Sequence, residues 1–137
     1  MEGLKTKIAK DHMLESATKK YCWGIHDCMT FITRYHDAVY NTNTTSLVEN
    51  KYSNKRDALK YLRTVDRPDD WLPRNNYTKV KFAESGDILI RPIGSENNYY
   101  AHCYIFLNGL AYNINEAGLT GLVPKFKHTI WRHQWDF

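Results

Sequence analysis

The chain has 137 residues and is 42% hydrophobic, 14% aromatic and 25% charged, which excludes a disordered or low-complexity chain and suits one domain, 1–137, with a core of its own. The formal charge is +4 and most basic residues are interleaved with acids, so nucleic acid is not the expected partner. No apolar run approaches the ~20 residues that a transmembrane helix needs, and three cysteines, an odd number, argue against a disulfide framework and leave at least one thiol free. Met1-Glu2-Gly3-Leu4-Lys5 lacks the apolar core of a signal peptide, so synthesis in the cytoplasm is expected.

Residues 1 to 20 carry helical signals, with Leu4, Ile8, Met13, Leu14 and Ala17 as sparse apolar positions. They fit one helix, or two if Asp11 caps a second. A helix with an apolar face of Phe31, Ile32, Tyr35, Ala38 and Val39 follows, opened by Asp27-Cys28 and ending near Tyr40; His36 is assigned to its solvent side. Asn41-Thr42-Asn43-Thr44-Thr45-Ser46 is a loop. A third helix spans Ser53 to Val65, capped by Ser53 or Asn54 and stopped by Asp66-Arg67-Pro68-Asp69-Asp70. The segment through Trp71, Pro73, Asn75 and Asn76 is expected to be irregular and to wall a cleft.

From Lys79 the apolar period becomes alternating. Ile88-Leu89-Ile90-Arg91 is a short buried strand stopped by Pro92, and Gly94-Ser95-Glu96-Asn97-Asn98 is a turn or loop. Tyr99 to Leu107 is a second strand, Asn108-Gly109 a two-residue hairpin turn and Leu110 to Asn115 a third strand. Gly118 and Gly121 loosen the chain before a last strand at Leu122-Val123-Pro124, and the aromatic tail around Trp131 and Trp135 packs back on the body. Helices first and an antiparallel sheet second is the α+β order.

Cysteine catalysis needs a thiolate, a neighbouring imidazole and a polar group to orient the ring. Cys28 at a helix N-terminus feels the positive end of the helix dipole, which favours the thiolate. His102 is the natural base because it sits in an otherwise apolar strand. Alternation sets His102, Tyr104 and Phe106 on one face and Cys103, Ile105 and Leu107 on the other. Asn113 and Asn115 share a face of the next strand, and either could bond the far ring nitrogen of His102. Cys22, His26 and Cys28 lack the second ligand pair that structural zinc wants, so no metal and no cofactor is expected.

Tyr21-x-Trp23-Gly24 followed by Asp27-Cys28 resembles the nucleophile motif of the NlpC-type papain-like cysteine peptidases. Ser85-Gly86-Asp87-Ile88-Leu89 is similar to the Gly-Asp strand that precedes the histidine strand there, and Ala101-His102-Cys103-Tyr104-Ile105-Phe106-Leu107-Asn108-Gly109 to the histidine strand and turn. The compact Trp-Gly-x-His-Asp-Cys form and Trp131-Arg132 look most like a phage-encoded branch. The resemblance covers about residues 15 to 132. It implies a papain-like α+β fold, with the cysteine helix packed on a small antiparallel sheet that bears the histidine. It implies hydrolysis of peptide or amide bonds, commonly in peptidoglycan, with Cys28 as nucleophile, His102 as base and Asn113 as third residue. Tyr21 and the Cys28 N–H would hold the oxyanion, Asn115 is a supporting residue, and Trp23, Asp27 and Trp71 line the substrate groove. Met29-Thr30 replaces the family's Ser-Gly and Gly24-Ile25 its Gly-Gly, which reshapes the groove floor. The implied partners are a peptidoglycan stem peptide or other peptide and phage structural proteins, in the cytoplasm or a virion. The other classes that the sequence admits are a non-catalytic structural or partner-binding protein on the same fold, and an intracellular amidase or acyl-transfer enzyme acting on a host protein.

Overall fold

The computed structural model describes residues 2–93, 100–125 and 127–137. The turn expected over Gly94 to Asn98 and the strand start at Tyr99 lie outside them. Among the described residues the architecture is α+β, with four α-helices against a six-stranded antiparallel sheet.

Helix α1 is continuous over Glu2–Ala17. Its buried stripe is Lys5, Ala9, Met13 and Ser16, at spacings of four, four and three, while Leu4 and Leu14 face solvent. Small and flexible side chains on that stripe let α1 lie close, so the packing followed size rather than hydropathy. Helix α2, Cys28–Tyr40, starts and ends where its caps dictate, with Asp27 at the N-cap and Asn41 in the left-handed conformation at its end. The loop that follows is tied down by the Asp37 carboxylate, which accepts from the hydroxyls of Thr42, Thr44 and Thr45. His36 is buried, not solvent-facing, and its Nδ1 lies 2.8 Å from the Tyr77 hydroxyl.

Helix α3 covers Lys55–Thr64 under an Asn54 cap that accepts from the Asp57 N–H. The segment expected to be irregular is a fourth helix, α4, Pro68–Arg74. Pro68 and the two aspartates after it, taken as a stop signal, also fit a first turn: proline loses no bond there, and acids suit the helix N-terminus.

The strands are β1 Tyr77–Val80, β2 Ile88–Ile93, β3 Tyr100–Leu107, β4 Leu110–Asn115, β5 Gly118–Leu122 and β6 Thr129–His133. Their spatial order is β1-β6-β2-β3-β4-β5. Pro92 does not stop β2, because β6 pairs with it only over Ile88 to Ile90, so that beyond Ile90 one side of the strand is an edge where a missing N–H costs no ladder bond. Asn108 and Gly109 have φ of 50° and 90°, the two positive values that a two-residue hairpin of the expected type requires. The glycine-bearing stretch after β4 is itself strand β5, with the Tyr112 ring lying where a side chain on Gly121 would stand. The tail packs back as β6, inserted in the interior of the sheet.

The sheet has two differently buried faces. The main core joins Phe31, Ile32 and Tyr35 of α2 to Ile88, Ile90, Cys103 and Ile105. A smaller cluster of Leu89, Tyr104 and Ala111 lies on the other face. The Tyr35 hydroxyl donates to the Gly86 carbonyl, and Asp87 receives both an Nε–H and an NH2 bond from Arg132, so α2, β2 and β6 are pinned together just below the N-terminus of β2.

Candidate active site

The site is built from the turn before α2 upward. Cys22 and His26 exchange backbone hydrogen bonds, which closes a tight loop over Trp23, Gly24 and Ile25. Gly24 has φ +81°, and a Cβ there would stand 2.0 Å from the Tyr52 carbonyl oxygen, so no side chain fits. The Asp27 carboxylate accepts from the N–H groups of Gly24, Met29 and Thr30, and the Thr30 hydroxyl accepts from the Asp27 N–H. This reciprocal cap sets the first turn of α2 and hence the position of Cys28. Burial first, and the Asp27 carboxylate next, raise the Tyr52 phenol above its ordinary value. Asp27 is 1% exposed and spends its acceptors on this work, so it is not on the groove wall.

Cys28, half-buried, points its thiol toward the Ala101 carbonyl at 3.9 Å. Beside it the Tyr21 hydroxyl faces the Cys28 N–H, and burial, with the thiol as second cause, raises the phenol above its ordinary value. The Tyr21 ring packs edge-on to Trp23 at 5.0 Å. Cys103, two residues along β3 from Ala101 and 0% exposed, has its thiol pushed well up, with Cys28 as the first cause and burial as the second.

A mainly apolar cleft of about 440 Å³ opens over Cys28. Its lining includes Tyr21, Trp23, Ala101, His102, Asn113 and Asn115, together with Leu59 and Leu62 of α3. The strand register explains the opening. β3 and β4 pair only over Ile105 to Leu107 with Leu110 to Tyr112. Beyond Ile105 the two strands part, and the cleft lies between them.

His102 and Asn113 therefore border the same cleft as Cys28, but in different surroundings. His102 belongs to the face of Tyr104 and Phe106, and its Nδ1 lies 3.5 Å from the Tyr104 hydroxyl. Burial lowers its pKa, and the charges of Arg91 and His128 lower it further. Among the described residues no hydrogen bond joins His102 to Cys28. The Asn113 side-chain oxygen accepts from the Thr120 hydroxyl at 2.7 Å, and the Asn115 side chain donates to the same hydroxyl and accepts from the Ala117 N–H. Trp71 is absent from the cleft; it is 3% exposed in α4 and packs edge-on to His36. The wall expected from Trp71 comes instead from Leu59 and Leu62. Nothing in a helical period separates a groove-facing leucine from a core one. No group of three or more His, Cys, Asp or Glu among the described residues is placed to hold a metal ion, and no described helix is long and apolar enough to cross a membrane.

The family model described as Domain of unknown function (DUF6950) matches residues 5–133, and the chain belongs to that family. No curated protein and no solved structure matches it.

Proposed function

We propose that this member of the family is a papain-like cysteine hydrolase of NlpC type that cleaves a peptide or amide bond. One observation carries the reading: the helix-opening thiol of Cys28 shares a single cleft with Tyr21, His102 and Asn113. Cys28 attacks the carbonyl carbon, and the oxygen that takes the negative charge is met by the Tyr21 hydroxyl and the Cys28 N–H. His102 takes the thiol proton and returns it to the amine as the C–N bond breaks. Water then cleaves the thioester and frees Cys28. For this His102 turns from Tyr104 into the cleft, and the parting of β3 from β4 beyond Ile105 leaves it an open strand edge to turn around. Asn113 then orients the ring in place of its bond to Thr120. For the substrate we propose a peptidoglycan stem peptide, and for the setting a phage virion or lysis; both rest on the sequence resemblance alone.

The second reading is a partner-binding module without chemistry. It is favoured by the bonds that His102 and Asn113 make away from the thiol. Alkylation of Cys28 by iodoacetamide across pH separates the two, in a Cys22→Ser background and with His102→Ala beside it. The hydrolase reading expects the Cys28 profile to move to higher pH in His102→Ala, and a peptidyl epoxide to label Cys28 only while His102 is present. Identical profiles, with no epoxide labelling, would leave the binding reading. Digestion of purified cell wall then tests the substrate.

A further inference from the structure

The face of the sheet that carries the smaller core ends in a row of basic side chains. Arg91 of β2 and His102 of β3 are Cα partners across the ladder. On the other side of β2, Ile90 is the partner of Thr129, so His128, the residue before it, comes up beside Arg91. Alternation sets Arg91 on the face of Leu89 and His128 on the face of Ile130, and both of those belong to the smaller core. The rings agree. Tyr104, next to His102 on this face of β3, packs edge-on to His128 at 5.0 Å, and its hydroxyl lies 3.5 Å from the His102 Nδ1. Like charges side by side on a sheet face repel, yet no carboxylate among the described residues pairs with Arg91 or His128: the ion pairs lie elsewhere.

His128 adds a second observation. It is 7% exposed, and its Nδ1 lies 3.1 Å from both the backbone N and the backbone O of Lys125. Its Nε2 is enclosed and has no partner. A buried polar atom without a partner is destabilising, and the deficit is met by a group that bonds it. Arg91 and His102 are partly exposed and form the open end of the row, with His128 as its inner wall.

We propose that this row is a binding site for a phosphate group, in which the Arg91 guanidinium donates two parallel N–H bonds to two oxygens and the His128 Nε2–H donates to a third. A guanidinium fork matches two oxygens of an oxyanion. A carboxylate has no third oxygen and would leave Nε2 unmet. Burial lowers the His128 pKa, and the charges of Arg91 and Lys125 lower it further; a bound anion acts in the opposite direction. The proposal stands on the strand register, the ring contact and the enclosed nitrogen, and does not rest on hydrolysis.

The test titrates the full chain with sodium phosphate at constant ionic strength, kept so with chloride, and follows the histidine ring signals by NMR. The expected result is a saturable shift centred on His128, with a dissociation constant of about 1 mM or below, and a rise of the His128 pKa in phosphate. Arg91→Gln and His128→Gln are each expected to weaken binding about tenfold. Glycerol phosphate is titrated beside inorganic phosphate: tighter binding of the ester assigns the group to a larger molecule, and equal or weaker binding assigns it to the free ion. Three results would overturn the proposal: acetate binding as tightly as phosphate, shifts that centre on His133 or His36 instead of His128, or no saturation by about 10 mM. The titration of the wild-type chain decides even if a variant does not fold. A protein without hydrolase activity can hold phosphate here, and an active hydrolase can fail to, so the two proposals fail separately.

Discussion

Asp27 shows how much one carboxylate can organise. It receives three backbone N–H groups while almost wholly buried. Removing an N-cap of this type costs about 1–2 kcal/mol, and the donors it leaves unpaired in the interior add to that. Asp27→Ala is therefore expected to cost at least about 2 kcal/mol of stability in urea denaturation, and Asp27→Asn, which keeps an acceptor for the helix, roughly half as much. Equal losses would mean that charge, not capping, is what Asp27 contributes. The same residue scale holds the tension in the site. His102 borders the cleft of Cys28 yet bonds within its own strand.

At the scale of elements, the tight turn before Cys28 and the turn of the β3–β4 hairpin differ in what surrounds them. Gly24 and Gly109 both have positive φ, +81° and +90°. A Cβ on Gly24 would collide with the Tyr52 backbone, whereas one on Gly109 would meet nothing within 4 Å. Gly109→Ala thus incurs only the left-handed penalty, about 1–2 kcal/mol. Gly24→Ala must also displace the 50–52 segment, and the expected loss is about 4 kcal/mol or an unfolded chain. Thermal and denaturant melts of the two variants, side by side, check the order; comparable losses would mean that the segment yields easily. The cleft itself is an element-scale feature, since it exists where β3 and β4 cease to pair.

Across the whole molecule, buried histidines link stability to acidity. His36 sits among Tyr40, Trp71, Tyr77 and His133, with Asp37 and Lys5 as the other charges that act on it. Burial holds its pKa at about 4, against about 6.5 for an ordinary histidine. His12, stacked on Phe31, is held at about 4 for the same reason. Between these values the unfolded chain binds the proton that the folded chain refuses, so stability is full above pH 6.5 and falls as the pH drops toward 4. For His36 alone the loss is on the order of 3 kcal/mol. The melting temperature is expected to be flat from pH 8 to 7 and to decline through that window, less steeply in His36→Gln. A melting temperature that rises on acidification would contradict the assignment.

The α+β order, the Asp27 cap and start of α2, the Asn108-Gly109 hairpin and the strands on either side of it were legible in the amino-acid sequence, because each rests on chemistry within a few residues. Pro68, Pro92 and the glycines of β5 were misread as interruptions, since a proline or glycine is judged by which backbone groups its neighbours use, and those are set by partners far along the chain. The burial of His36 and Trp71 and the insertion of β6 between β1 and β2 were decided by tertiary structure alone. Cys28 and His102 stood out in the sequence because one opens a helix and the other interrupts an apolar strand, whereas alternation left Asn113 and Asn115 equal and only the family resemblance chose Asn113. The cleft that gathers them could not be read there, because it depends on where two strands part, and register beyond a turn is fixed by packing against the rest of the molecule.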